Sequence, residues 1–153
     1  MIDIEQLDNT LVEIFKKVYS TMGPGYKEAI YHKCVSVELS NIQLFHGNEI
    51  TIPIYYEKYI VGQQRLDIGI YHNGVLTSII EFKSQDAKLG NKECIQLNRY
   101  LKNTTATVGY IVNFKMTIFE KDIENSLEIF KVHRKGIFKY NNQSEKFEER
   151  RTV

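Results

Sequence analysis

The hydrophobic positions of this chain recur first at a helical period and then at a period of two. Between residues 9 and 22, Leu11, Ile14, Phe15, Val18, Tyr19 and Met22 return at intervals of three and four, which predicts an amphipathic helix with Asp8 or Asn9 as its cap. Gly23-Pro24-Gly25 ends it. A second helix is predicted over 26–40, with Tyr26, Ile30, Cys34 and Val37 on one stripe and Glu28, Tyr31 and Val35 on an adjoining one. Alternation then begins. Ile50, Ile52 and Ile54 predict a strand over 49–59, and Pro53 within it predicts an edge position or a bulge. The segment 61–71 places Leu66, Ile68 and Ile70 on one face and Asp67 on the other, and in 75–83 the same alternation sends Glu81 and Lys83 to one side. His72-Asn73-Gly74 supplies an Asn-Gly turn, so these two strands should form a hairpin that brings Asp67 beside Glu81.

A polar loop over 84–91 leads to a helix predicted at 92–102, where Cys94, Leu97 and Leu101 make an apolar stripe and Glu93, Gln96 and Tyr100 share another face. The segment 106–114 is almost wholly apolar, as a central strand covered on both faces would be. A polar connection over 115–126, a strand over 127–135 and a hairpin over 137–147 around Asn141-Asn142 complete the pattern. Two helices, three strands, a helix, a strand and a β-rich tail describe an α/β sandwich with a central mixed sheet flanked by helices.

Composition narrows the setting. With 153 residues, 42% of them hydrophobic, and no low-complexity stretch, the chain is expected to form one domain over 1–153. A net charge of +1 gives no global basic signature, so contact with nucleic acid would need a local patch, for which Lys131, His133, Arg134, Lys135 and Lys139 are candidates. Cys34 and Cys94 lack CxxC spacing and read as reduced, buried thiols, and no zinc site is expected from them or from the scattered histidines. The acidic start Met1-Ile2-Asp3-Ile4-Glu5 has no apolar signal core, and no run is long enough to span a membrane, so a soluble intracellular protein is expected. No Ser nucleophile elbow, P-loop or GxGxxG is present.

The chemistry concentrates in Asp67 and, fourteen residues later, Glu81-Phe82-Lys83. Two hard anionic ligands on adjacent strands suit Mg²⁺ or Mn²⁺, and a lysine two residues on can orient an attacking water or steady charge building on phosphorus. Alone, a Glu-x-Lys at a strand end is an ordinary solvated edge. Here both acids sit among Leu66, Ile68, Ile79 and Ile80, where an unpaired carboxylate is costly. Glu28 and Tyr31 stand one helical turn apart, as do Gln96 and Tyr100.

These motifs resemble the PD-(D/E)XK nuclease superfamily, and more narrowly its GxxExxY family: Gly25, Glu28 and Tyr31 match the name motif, Asp67, Glu81 and Lys83 the nuclease core, and Gln96 and Tyr100 the QxxxY motif of the exonuclease branch. The resemblance covers residues 8–114; Leu66 stands where proline is common, and the segment after Phe114 shows no alignable pattern. It implies a restriction-endonuclease-like α/β fold and a metal-dependent nuclease. Asp67, Glu81 and the main-chain carbonyl of Phe82 would hold Mg²⁺ or Mn²⁺, with Glu28 completing or tuning the shell. Lys83 would serve the water, and Gln96, Tyr100 and Tyr31 would position a nucleic acid, DNA favoured over RNA. A homodimer or a partner protein is left open. The competing reading is a nucleic-acid-binding or assembly module of the same fold, active only with a partner; an unrelated small-molecule hydrolase leaves Gln96 and Tyr100 unexplained.

Overall fold

In the computed structural model, residues 3–117 and 126–150 are described, so most of the polar connection expected over 115–126 lies outside the described residues. Helix α1 spans Ile4–Met22 and begins earlier than the apolar period predicted. The reason is a capping box: the Asp3 carboxylate accepts the Gln6 N–H at 2.7 Å, and the Gln6 side chain accepts the Asp3 N–H at 3.1 Å. Asp8 and Asn9, the predicted caps, are therefore interior to the helix. Asp8 turns inward, where it accepts hydrogen bonds from the Tyr110 hydroxyl and the Lys131 ammonium. The helix stops at Gly23, which takes a φ of 76° that glycine alone adopts freely and donates its N–H to Tyr19 at 2.8 Å.

Helix α2, Glu28–Asn41, buries Tyr31, Val35 and Leu39 and leaves Ile30 and Val37 exposed. The buried stripe is the second of the two that the sequence offers. Both stripes are apolar enough to pack, and the choice is made by ring contacts: Tyr31 stacks on Phe114 at 4.3 Å between centroids and meets Tyr19 edge-on at 6.1 Å.

The strands β1 (His46–Tyr56), β2 (Tyr59–His72), β3 (Val75–Lys83), β4 (Val108–Asn113), β5 (Glu128–His133), β6 (Gly136–Asn141) and β7 (Lys146–Arg150) form one seven-stranded sheet in chain order. β3 and β4 pair in parallel, joined by helix α3 (Asn91–Lys102); the other neighbours are antiparallel. This is the mixed sheet flanked by helices that the pattern predicted. Asn73 and Gly74 both take positive φ, 50° and 78°, as an Asn-Gly hairpin turn requires. β1 is an edge strand with a bulge at Ile54/Tyr55, next to Pro53.

β4 is buried at every position. On one face α1 and α2 pack Phe15, Tyr19, Tyr31 and Val35 against Ile68, Ile80, Phe82 and Tyr110; on the other α3 packs Leu97 and Tyr100 against Leu66, Ile79, Ile111 and Phe130. Gly109 makes the second packing close, since a Cβ there would stand 2.7 Å from the Leu97 side chain. Leu66 thus lies on the opposite side from Ile68 and Ile70, not with them as alternation predicted. The alternation of β2 breaks at Asp67. In β1 the facing residue, Glu49, takes a φ of 52°, and the ladder skips the Glu49–Asp67 pair while keeping its register on either side.

Candidate active site

The break in the alternation of β2 coincides with the place where β3 leaves it. Their ladder runs to Ile68 opposite Ile80 and ends there, so Asp67 and Glu81 face each other where the strands part. Backbone donors released by the parting need acceptors, and the two carboxylates supply them. The Asp67 N–H donates to Glu81 Oε1 at 2.8 Å, and the Phe82 N–H donates to Asp67 Oδ2 at 2.8 Å. Each acid is locked by the other's strand. One oxygen of each, Asp67 Oδ1 and Glu81 Oε2, accepts no hydrogen bond from a described residue.

Electrostatics record the crowding. Burial and then the Asp67 charge push the Glu81 carboxyl up to about 8, against the lowering effect of the Asp67 N–H and of Lys83. Burial also raises Asp67, opposed by the Phe82 N–H, His32 and Lys83 and assisted by Glu49. Lys83 is on the same side of β3 as Glu81. Its carbonyl accepts the Phe114 N–H at 2.9 Å, and the following loop is held by buried Asn113, which accepts from the Gln85 N–H and donates to the Gln85 carbonyl and to Glu128, each at 3.0 Å.

Glu28 opens α2 with an exposed side chain whose carboxyl is raised by burial of its inner part, lowered by Lys83 and raised by Asp67. It therefore borders the site. Tyr31 is fully buried, and its hydroxyl donates to the Gly23 carbonyl at 2.7 Å, tying α2 to the turn that precedes it. On α3, Gln96 donates to the Tyr100 hydroxyl at 2.9 Å, and that hydroxyl is pushed up to about 12 by burial and the Glu81 charge. Lys131 is drawn away from the expected basic patch: it pairs with Asp8 and lies over the rings of Phe138 and Phe147, while Arg134, Lys135 and Lys139 stay exposed.

Sequence reasoning missed two neighbours of Asp67. His32 stacks on Phe82 at 5.2 Å and lies 2.9 Å from the Asn48 side-chain oxygen, and Glu49 stands opposite Asp67 in β1. His32 follows Glu28 by four positions, a spacing that puts both on one helix face and could have revealed it. Glu49 left no signal, because its approach coincides with an irregularity of the β1–β2 ladder that alternation does not foretell.

Among the described residues no group of three or more His, Cys, Asp or Glu converges as a ready cation cage. Two carboxylates with free oxygens nonetheless fit a hard divalent ion that keeps several waters, as Mg²⁺ does. Such an ion would also offset the burial and the Asp67 charge that together raise Glu81.

Among the described residues, a seven-stranded mixed sheet with three helices, carrying an aspartate and, fourteen residues on, Glu-x-Lys, defines the nuclease-like class of α/β proteins. The family model of the PD-(D/E)XK nuclease superfamily matches residues 5–126, and the chain belongs to that superfamily. A solved structure described as "Crystal structure of SSO0001" aligns with 18% identity and a TM-score of 0.40 over 77% of this chain and 70% of that one. No curated protein matches the sequence. No helix among the described residues is long and apolar enough to cross a membrane.

Proposed function

We propose that this protein is a divalent-metal-dependent nuclease that hydrolyses phosphodiester bonds in DNA, of the GxxExxY kind marked by Gly25, Glu28 and Tyr31. The observation that carries the reading is the reciprocal locking of Asp67 and Glu81, which leaves one free oxygen on each acid where the strands part. Those oxygens would hold Mg²⁺ or Mn²⁺ together with the Phe82 carbonyl, which shares its strand edge with the N–H aimed at Asp67. Glu28 borders this set and would act on it through the ion's water ligands. When bound, the ion supplies Lewis-acid polarisation of the phosphoryl oxygen and a more acidic water.

The chain's own residues do the rest. Lys83 orients the water and stabilises charge on the phosphoryl oxygens from the same side of the strand as Glu81. Gln96 and Tyr100, joined by their hydrogen bond, position the substrate from α3. Tyr31 contributes by fixing the Gly23 turn and hence the placement of Glu28.

The test is incubation of the purified protein with single- and double-stranded DNA and RNA in Mg²⁺, Mn²⁺ or EDTA, beside Asp67→Ala and Lys83→Ala. Cleavage of DNA is expected with metal and not with EDTA, is lost in Asp67→Ala, and falls by about 10² or more in Lys83→Ala, the scale for loss of one electrostatic stabiliser. Equal cleavage by wild type and Asp67→Ala would overturn the assignment.

A further inference from the structure

This inference rests on the nuclease reading and concerns the form of nucleic acid that the site takes. β1 and β2 continue past the point where β3 parts from them, so residues 59–66 of β2 pair with β1 alone. The ribbon rises from Asp67 itself. At about 3.3 Å per residue, the stretch of β2 from Asp67 back to Tyr59 spans about 26 Å. Its far end displays Tyr55, Tyr56, Tyr59, Ile60 and Val61, with Tyr56 65% and Val61 63% exposed, and the Lys58 ammonium lies 5.6 Å from the centre of the Tyr59 ring. So much apolar surface gathered at one projecting end marks a binding surface.

Between this ribbon and the C-terminal half of α3 lies a cleft of about 360 Å³, lined by Ile54, Gly62, Gln63, Gln64, Arg99 and Asn103. Asn103 accepts the Tyr55 N–H at 3.0 Å and pins the ribbon to the end of the helix. Two polar groups in the cleft have no partner among the described residues. Gln64 Oε1 is buried without a hydrogen bond, and the Arg99 guanidinium makes no ion pair among the described residues. The cleft lies along β2 from the acid pair, with Gln64 three positions, about 10 Å of strand, before Asp67.

A guanidinium takes a phosphate with two parallel hydrogen bonds, a side-chain amide takes backbone or base groups, and tyrosine rings take the faces of unpaired bases. We infer that this cleft carries a single-stranded stretch of the DNA substrate away from the scissile phosphate, with Arg99 on its backbone, Gln64 Oε1 accepting from a base N–H, and the cross-strand pair Tyr56 and Tyr59 stacked on its bases. A duplex hides its base faces and gives the ribbon end nothing to stack on. Arg99 in the cleft and Lys58 at its far end also suit a polyanion, which a second copy of this chain does not supply.

The experiment measures binding of fluorescently labelled DNA by the full chain carrying Asp67→Ala, so that cleavage does not intervene. Arg99→Gln and the pair Tyr56→Ala with Tyr59→Ala are each expected to weaken binding of a single strand of about twelve nucleotides by about ten-fold or more, the scale of one or two lost base stacks or a phosphate contact. Arg99→Gln should also lower the salt slope by about one. A strand of about three nucleotides, too short to reach the ribbon end, should bind alike with and without the tyrosine pair, which a merely structural role for the tyrosines would not produce. Unchanged binding by both variants overturns the inference, as does tighter binding of blunt duplex with equal loss. Dissociation of a dimer by the tyrosine pair with DNA binding intact assigns the ribbon end to a second copy and also overturns it. Tighter binding of single-stranded RNA overturns the choice of DNA. Absence of cleavage by the wild type strikes the nuclease reading and leaves this binding measurement intact.

Discussion

Glu81 carries the largest shift of any carboxylate described, up to about 8 through burial and the charge of Asp67, and its pH behaviour follows. Between the ordinary glutamate value, 4.5, and about 8, the native state holds a proton that the unfolded chain has released. Metal-free stability should therefore fall as pH rises through that window. Glu81→Gln keeps a side-chain oxygen to accept the Asp67 N–H and removes the titration, so its melting temperature should decline less than that of wild type between about pH 5 and about pH 9 in EDTA. Parallel melting curves for the two proteins would refute the upward shift of Glu81. The same ionisation would govern binding of the proposed ion, since a carboxylate must lose its proton to become a ligand.

Helix α2 shows how an element with two apolar stripes settles its orientation. Ring packing on Phe114 and Tyr19 buries Tyr31, and the stripe containing Ile30 and Val37 faces out. Tyr31→Ala should lower stability by about 3–5 kcal/mol, as for other buried aromatic truncations, and Val37→Ala by about 0.5 kcal/mol or less. Urea unfolding of the two variants checks this, and similar losses would place the helix wrongly. A comparable tie joins α1 to the sheet. Asp8 receives both the Tyr110 hydroxyl from β4 and the Lys131 ammonium from β5, so the helix is fixed in register against two strands by one side chain.

At the scale of the whole molecule, the sheet is continuous through β4 and β5 but opens between β2 and β3, and the acid pair stands at that opening. A cation bound there would bridge two strands whose backbone ladder has ended at Ile68 and Ile80. Mg²⁺ or Mn²⁺ at millimolar concentration should raise the melting temperature of the wild type and leave Asp67→Ala unmoved, with about 2.7 kcal/mol of stabilisation at a hundredfold excess over the dissociation constant. Thermal scans with metal and with EDTA measure it, and no shift in the wild type would remove the ion from the proposed site.

What the sequence determined by itself is what backbone geometry dictates locally. The Asn73-Gly74 turn, the shared side of Glu81 and Lys83, the α3 stripe of Cys94, Leu97 and Leu101, and the burial of 108–113 all follow from turn chemistry, period and apolar runs. The capping box at Asp3 and Gln6 is equally local, but the apolar period is strongest from Leu11 onward and points to Asp8 and Asn9 instead. Tertiary structure decided the rest. Lys131 and Tyr110 reach Asp8 across 123 and 102 residues, and no short-range pattern encodes such a partnership. The α2 face was a choice between two stripes of similar polarity, settled by aromatic rings from other elements. The crossing of Leu66 to the far side of the sheet, and the approach of His32 and Glu49 to Asp67, occur at an irregularity where two strands part. Alternation assumes a regular strand, so it fails at the place where the structure departs from regularity to form the site.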